Sequence, residues 1–127
     1  MAEVSLESRS GYAQHIRMRQ HELDADEPES NGGTDTGAAP YELLLAALGA
    51  CTAITLKMYA GRKQWDIGRL DVKLRFFKTR DGERIERDVH PGAGLSGEQR
   101  ARLLEICEKT PVTLTIKRGT PITTTLV

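Results

Sequence analysis

Two cysteines, Cys51 in LGACTAITL and Cys107 in LLEICEKTP, are the residues of this chain best suited to covalent chemistry. A cysteine attacks as its thiolate, and at a reference pKa of about 8.5 the thiolate needs a nearby cation or hydrogen-bond donor. Burial alone favours the inert thiol. Cys51 stands in the row Leu44, Leu48, Cys51, Thr55 and Met58, spaced three and four apart like one stripe of a helix, so it reads equally as a small hydrophobe filling a core. Cys107 follows Leu104 at i+3 and Leu103 at i+4 and admits the same two readings.

Cations that could serve a thiolate lie upstream. Arg17 and Arg19 alternate with Ile16 and Met18, which puts both arginines, His15 and His21 on one strand face. That face is either solvated or the lining of a pocket. His15, His21 and His90 have no Ser or Asp spacing that suggests a triad and read as polar surface. Neither cysteine belongs to a CxxC or to a His/Cys cluster with zinc-ligand spacing, so no metal is expected.

The elements that must position these residues follow from periodicity. Residues 2–8 and 12–21 read as two strands around a turn at Ser10 and Gly11. Residues 24–40, DADEPESNGGTDTGAAP, read as a long loop, and loops of that length are often functional. A helix is expected from Pro40 to about Arg62, with Thr36 or Asp35 upstream for capping and Gly61 near its end. Its apolar residues surround it rather than forming one stripe, and Ala46, Ala47, Gly49, Ala50 and Ala53 would let another backbone come close. Such a helix near the centre of an intimate homodimer is the expectation. Residues 70–76 alternate as a half-buried strand, Asp81 and Gly82 make a turn, and residues 83–90 form a more polar strand with Ile85 and Val89 on one face. A second helix starts at a capping box of Ser96 and Gln99 and ends at Pro111. The tail VTLTIKRGTPITTTLV reads as a closing hairpin around Arg118 and Gly119. Helices following separate groups of strands make the fold class α+β.

Composition narrows the partners. The 127 residues suit one domain spanning 1–127. Eighteen basic residues balance eighteen acidic ones, so no global field favours nucleic acid or an anionic membrane. The charge-free run Leu43 to Leu56 falls short of the roughly 20 residues that cross a bilayer. MAEVSLESRS lacks a basic segment followed by an apolar run, so a cytoplasmic location is expected, where thiols stay reduced.

The runs DEPESNGGTDTGAAPYELLLAALGACTAITLKMYA, GLSGEQRARLLEICEKTPVTLTI and ITTTL resemble the OsmC/Ohr family, osmotically inducible protein C and organic hydroperoxide resistance protein. PYELL, LGACTAITL and MYA look closer to its less characterised OsmC-like branch. The resemblance covers nearly the whole chain and implies antiparallel sheets with two main helices, intertwined as a homodimer with active sites at the subunit interface. It implies a thiol-dependent peroxidase that reduces small organic hydroperoxides, is restored by an external dithiol, and needs no metal, haem or flavin. Cys51 falls on the peroxidatic position, with Cys107 as the available second thiol. The family's second cysteine directly precedes a proline, a place held here by Thr110, and Cys107 lies three residues earlier. The family's glutamate position holds Tyr41, with Glu42 one residue later. In a regular helix Glu42 points about 180° from Cys51 and Tyr41 about 80° away. The family's activating arginine lies in the N-terminal strands, where Arg9, Arg17 and Arg19 are candidates and Arg17 is favoured. The departures at Tyr41 and Thr110 admit an alternative, a dimer that binds an apolar or electrophilic ligand without efficient turnover.

Overall fold

The protein, a computed structural model describing residues 1–92 and 94–127, is α+β, with antiparallel strands and three helices. It divides into two compact units, Met1–Leu44 and Leu45–Val127.

In the first unit, β1 (Ser5–Ser8), β2 (Gln14–Met18) and β3 (His21–Ala25) form one antiparallel sheet in sequence order. The second expected strand is thus two, folded at Arg19, whose φ of 54° marks the turn. β3 was hidden because its residues were read partly into the preceding strand and partly into the loop. Pairing sets His15 opposite Asp24 and Arg17 opposite Glu22, so these two basic residues meet carboxylates across the strands on an exposed face.

The loop after β3 is built around Asp26, which is 2% exposed. Its carboxylate accepts five hydrogen bonds, from the N–H and hydroxyl of both Thr34 and Thr36 and from the Glu27 N–H. Gly33 and Gly37 let the backbone pass where a Cβ would stand 2.0 Å from the Glu27 carbonyl oxygen and 2.2 Å from that of Asp24. Thr36 is therefore spent on Asp26. The capping role expected of Thr36 or Asp35 falls to Glu42, whose Oε1 accepts the Ala39 N–H at 2.8 Å as α1 (Pro40–Lys63) begins.

α1 runs 24 residues, about 36 Å at 1.5 Å per residue, and continues into the second unit. By length and apolar composition alone it could cross a bilayer, more than its charge-free run suggested. In the second unit it carries a buried stripe of Leu48, Gly49, Thr52, Leu56 and Ala60. That stripe is one residue out of step with the row through Cys51: Met58 is 58% exposed and Cys51 lies on its flank. An all-round apolar helix has no polar face to set its rotation. The hairpin of β4 (Asp71–Thr79) and β5 (Gly82–His90) sets it, with Leu74 Cδ1 occupying the space a Cβ on Gly49 would need.

α2 (Gly97–Cys107) starts at the expected capping box, Ser96 accepting from the Gln99 N–H and Gln99 from the Ser96 N–H. Its inner face joins α1 in a core of Leu56, Ala60, Ile67, Leu103 and Cys107. Pro111 does not simply end this helix; it starts α3 (Pro111–Arg118), which replaces the first arm of the expected closing hairpin. Proline is preorganised for the first helical position, and Thr110 and Thr113 hydroxyls meet at 2.6 Å across that turn, which outweighs the β-branched composition. Residues 119–127 follow without helix or strand, with Ile122 and Leu126 exposed.

Candidate functional site

Cys51 is half-buried on the flank of the α1 stripe, one residue before the fully buried Thr52. Its Sγ accepts the backbone N–H of Val112 at 3.4 Å. Val112 is the second residue of α3, whose first-turn N–H groups have no partner within the helix. Helix-start N–H groups are donors free to meet an acceptor from another element, and here the acceptor is the Cys51 sulfur. Cys51 as a residue is partly exposed.

Cys107 has the opposite surroundings. It is 3% exposed, packed with Leu56, Ala60, Ile67 and Leu103. Burial pushes its thiol up, against the opposing pull of Arg87. Beside it opens a pocket of about 300 Å³ lined by Val89, Pro91 and the α2 residues Arg100, Ala101, Leu103, Leu104 and Cys107. Both cysteines are free. The place of a family-type second cysteine, Thr110, is fully buried and its hydroxyl is bonded to that of Thr113.

The side chain that joins these elements is Arg87, which sequence reading missed. Nη1 donates to the Thr52 and Thr113 hydroxyls, each at 2.8 Å, and Nη2 donates to the Cys107 carbonyl at 2.9 Å. Only 12% of the side chain is exposed, and its nearest carboxylate, Glu108, stands 4.0 Å away while pairing with Lys117. The signal was present. Ile85 and Val89 share a strand face, and by the period of two Arg87 lies between them on it, opposite the inward Leu74.

The other candidates lie in the first unit. Arg17 Nε donates to Glu22 at 3.0 Å, and Arg19 is exposed in its turn. His15 bridges Asp24 at 2.7 Å and Glu22 at 3.3 Å, and those carboxylates, Asp24 foremost, raise its pKa from the ordinary value. Tyr41 is half exposed at the start of α1, and Glu42 is engaged by the Ala39 N–H. The structure brings Cys51 together with the α3 start that follows Thr110, and brings Arg87 to both helices.

A family model described as OsmC-like protein matches residues 33–125. No curated protein matches the chain. Among solved structures, an OsmC-like protein from Mycoplasma pneumoniae is 18% identical with a TM-score of 0.81, over 92% of this chain and 87% of the other. An organic hydroperoxide resistance protein OsmC from Legionella pneumophila is 17% identical with a TM-score of 0.70, over 92% and 89%. An organic hydroperoxide resistance protein from Elizabethkingia anophelis, with thiocyanate bound, is 19% identical with a TM-score of 0.66, over 91% and 87%.

Proposed function

Since the chain belongs to the OsmC-like protein family, we propose that it is a thiol-dependent peroxidase that reduces small organic hydroperoxides with Cys51 as its nucleophile. The observation that carries this reading is the Val112 N–H directed at the Sγ of the half-buried Cys51 from the first turn of α3. Two of the three solved relatives named above are called organic hydroperoxide resistance proteins, which supports the substrate class.

In the proposed cycle the Cys51 thiolate attacks one oxygen of the peroxide bond. The S–O bond forms as the O–O bond breaks, and the departing alkoxide takes a proton and leaves as the alcohol. Cys51 is then a sulfenic acid. A thiol of an external dithiol condenses with it, releasing water and forming a mixed disulfide, and the second thiol displaces Cys51 as the dithiol closes its own disulfide. The sum is hydroperoxide plus dithiol to alcohol, water and disulfide. No metal, haem or flavin enters. Cys107, enclosed in apolar core with its thiol pushed up, is given no redox step in this cycle. The reducing cytoplasm would supply the dithiol.

A homodimer belongs to the same reading. Ala46, Ala47, Ala50, Ile54 and Met58 form an exposed face of α1, small and apolar, that a second copy of the helix would cover.

The test is consumption of cumene hydroperoxide with dithiothreitol by wild type, Cys51→Ser and Cys107→Ala. Turnover should vanish in Cys51→Ser and persist in Cys107→Ala. Undiminished turnover in Cys51→Ser would end the reading, and binding of the hydroperoxide by wild type without turnover would replace it with a binding protein.

A further inference from the structure

We propose that Arg87 is a positioning residue for the Cys51 site, its guanidinium holding α1 and α3 in the register that keeps the Val112 N–H on Cys51 Sγ. The argument rests on adjacency. One nitrogen, Nη1, donates to both Thr52 and Thr113, at 2.8 Å each. Thr52 is the next residue after Cys51, and Thr113 the next after Val112, so each partner of the sulfur contact is one residue from an acceptor of the same nitrogen. The second nitrogen, Nη2, holds the Cys107 carbonyl, where α2 ends and the link to α3 begins. Arg87 thereby fastens the link at its entry, at Cys107, and at the far side of its helix start, at Thr113.

The acceptors suit this role better than a simple ion pair would. A guanidinium presents several donors in a fixed planar fork, so it sets the separation of the groups it binds. Here the acceptors are two hydroxyls and a carbonyl, and each hydroxyl is itself committed. Thr52 donates to the Leu48 carbonyl at 2.7 Å, and Thr113 meets Thr110 at 2.6 Å. Removing the fork takes one hydrogen bond from each hydroxyl and the guanidinium donor from the Cys107 carbonyl, so α1, α3 and the end of α2 lose the group that fixes their separation.

This inference rests on Cys51 being the reactive thiol, and its test reads that thiol without any hydroperoxide. Cys51 alkylation by iodoacetamide, which forms the S–C bond and releases iodide, is followed by peptide mass spectrometry at pH 7 and at pH 10 in wild type, Arg87→Met and Thr113→Val. At pH 10 a thiol is largely ionised whatever donor it faces. Loss of a well-placed helix N–H should therefore slow alkylation about threefold to tenfold at pH 7 and leave the rate at pH 10 within about twofold. Glu86 and Asp88 on β5, Lys57 on α1, Glu108, and Lys117 and Arg118 on α3 are unchanged in every variant, so they do not produce the difference. No loss at pH 7, or an equal loss at both pH values, overturns the proposal, the second because it reports altered access. If Arg87→Met does not fold, Arg87→Lys, measured alongside, which keeps the charge but not the planar fork, decides the matter. A chain that shows the pH 7 loss but consumes no hydroperoxide in wild type would end the peroxidase reading and leave this one standing.

Discussion

Val112 N–H meets Cys51 Sγ at 3.4 Å across 61 positions of sequence, so the site proposed for this chain joins the start of one helix to the middle of another. Cys51 supplies a half-buried thiol and α3 a backbone donor to its sulfur. Neither element makes the site alone.

The two thiols should therefore differ in native reactivity. Cys51 is half-buried with an N–H donor, whereas Cys107 is 3% exposed and its thiol is pushed up by burial. With limiting iodoacetamide at pH 7.5, Cys51 should be labelled about tenfold faster or more. In denaturant the rates should converge. Equal native rates would mean that the α3 contact and the core around Cys107 do not govern reactivity.

The elements were largely legible because each carried a local signal. Pro40 opened α1, Ser96 and Gln99 capped α2, and alternation marked β4 and β5. What was not legible depended on contacts distant in sequence. The rotation of α1 follows from Gly49 against Leu74 and Thr52 against Arg87, and a uniformly apolar helix gives no internal clue to it. The helical form of VTLTIKR depends on Pro111 and the Thr110–Thr113 contact winning over β-branched composition. β3 was obscured because His21 closes the expected strand 12–21 while Asp24 and Ala25 open the expected loop, and only pairing with Arg17 and His15 joins them. For the site, the resemblance singled out Cys51, and period-two reading of β5 could have added Arg87. The Val112 donor had no local signature.

Core substitutions should rank by enclosure. Leu56 is fully buried at the centre of the cluster, so Leu56→Ala should cost about 2–5 kcal/mol of unfolding free energy. Cys107→Ala removes a single sulfur from the same cluster and should cost about 1 kcal/mol. Urea denaturation measures both. A Cys107→Ala loss as large as that of Leu56→Ala would show that the thiol holds more of this core than its size implies.

The exposed face of α1 should govern assembly. Ile54 is 55% exposed between Ala50 and Met58, so Ile54→Glu puts a charge into the face assigned to a second copy. Light scattering after gel filtration should report a dimer for wild type and a monomer for Ile54→Glu, with the circular dichroism spectrum retained. A dimer unaffected by the substitution would place the contact elsewhere.

The loop before α1 should carry an acid-sensitive share of stability. Hydrogen bonds from the Thr34 hydroxyl foremost, then from the Thr36 hydroxyl and the Glu27 and Thr36 N–H groups, hold the Asp26 carboxyl well below the usual carboxylate range. A carboxyl depressed in the folded state stabilises fully above its unfolded value, about pH 4, and that stabilisation is lost as pH falls toward the folded value. Thermal melts of wild type should therefore drop between pH 5 and pH 3. Asp26→Asn replaces one acceptor oxygen by a donor, so it should melt lower at pH 7 and show a smaller drop toward pH 3. Gly33→Ala should weaken the same loop at pH 7, because its Cβ would stand 2.0 Å from the Glu27 carbonyl oxygen and 2.8 Å from Asp26 Oδ1. An Asp26→Asn variant as acid-sensitive as wild type would assign the loss to other carboxylates.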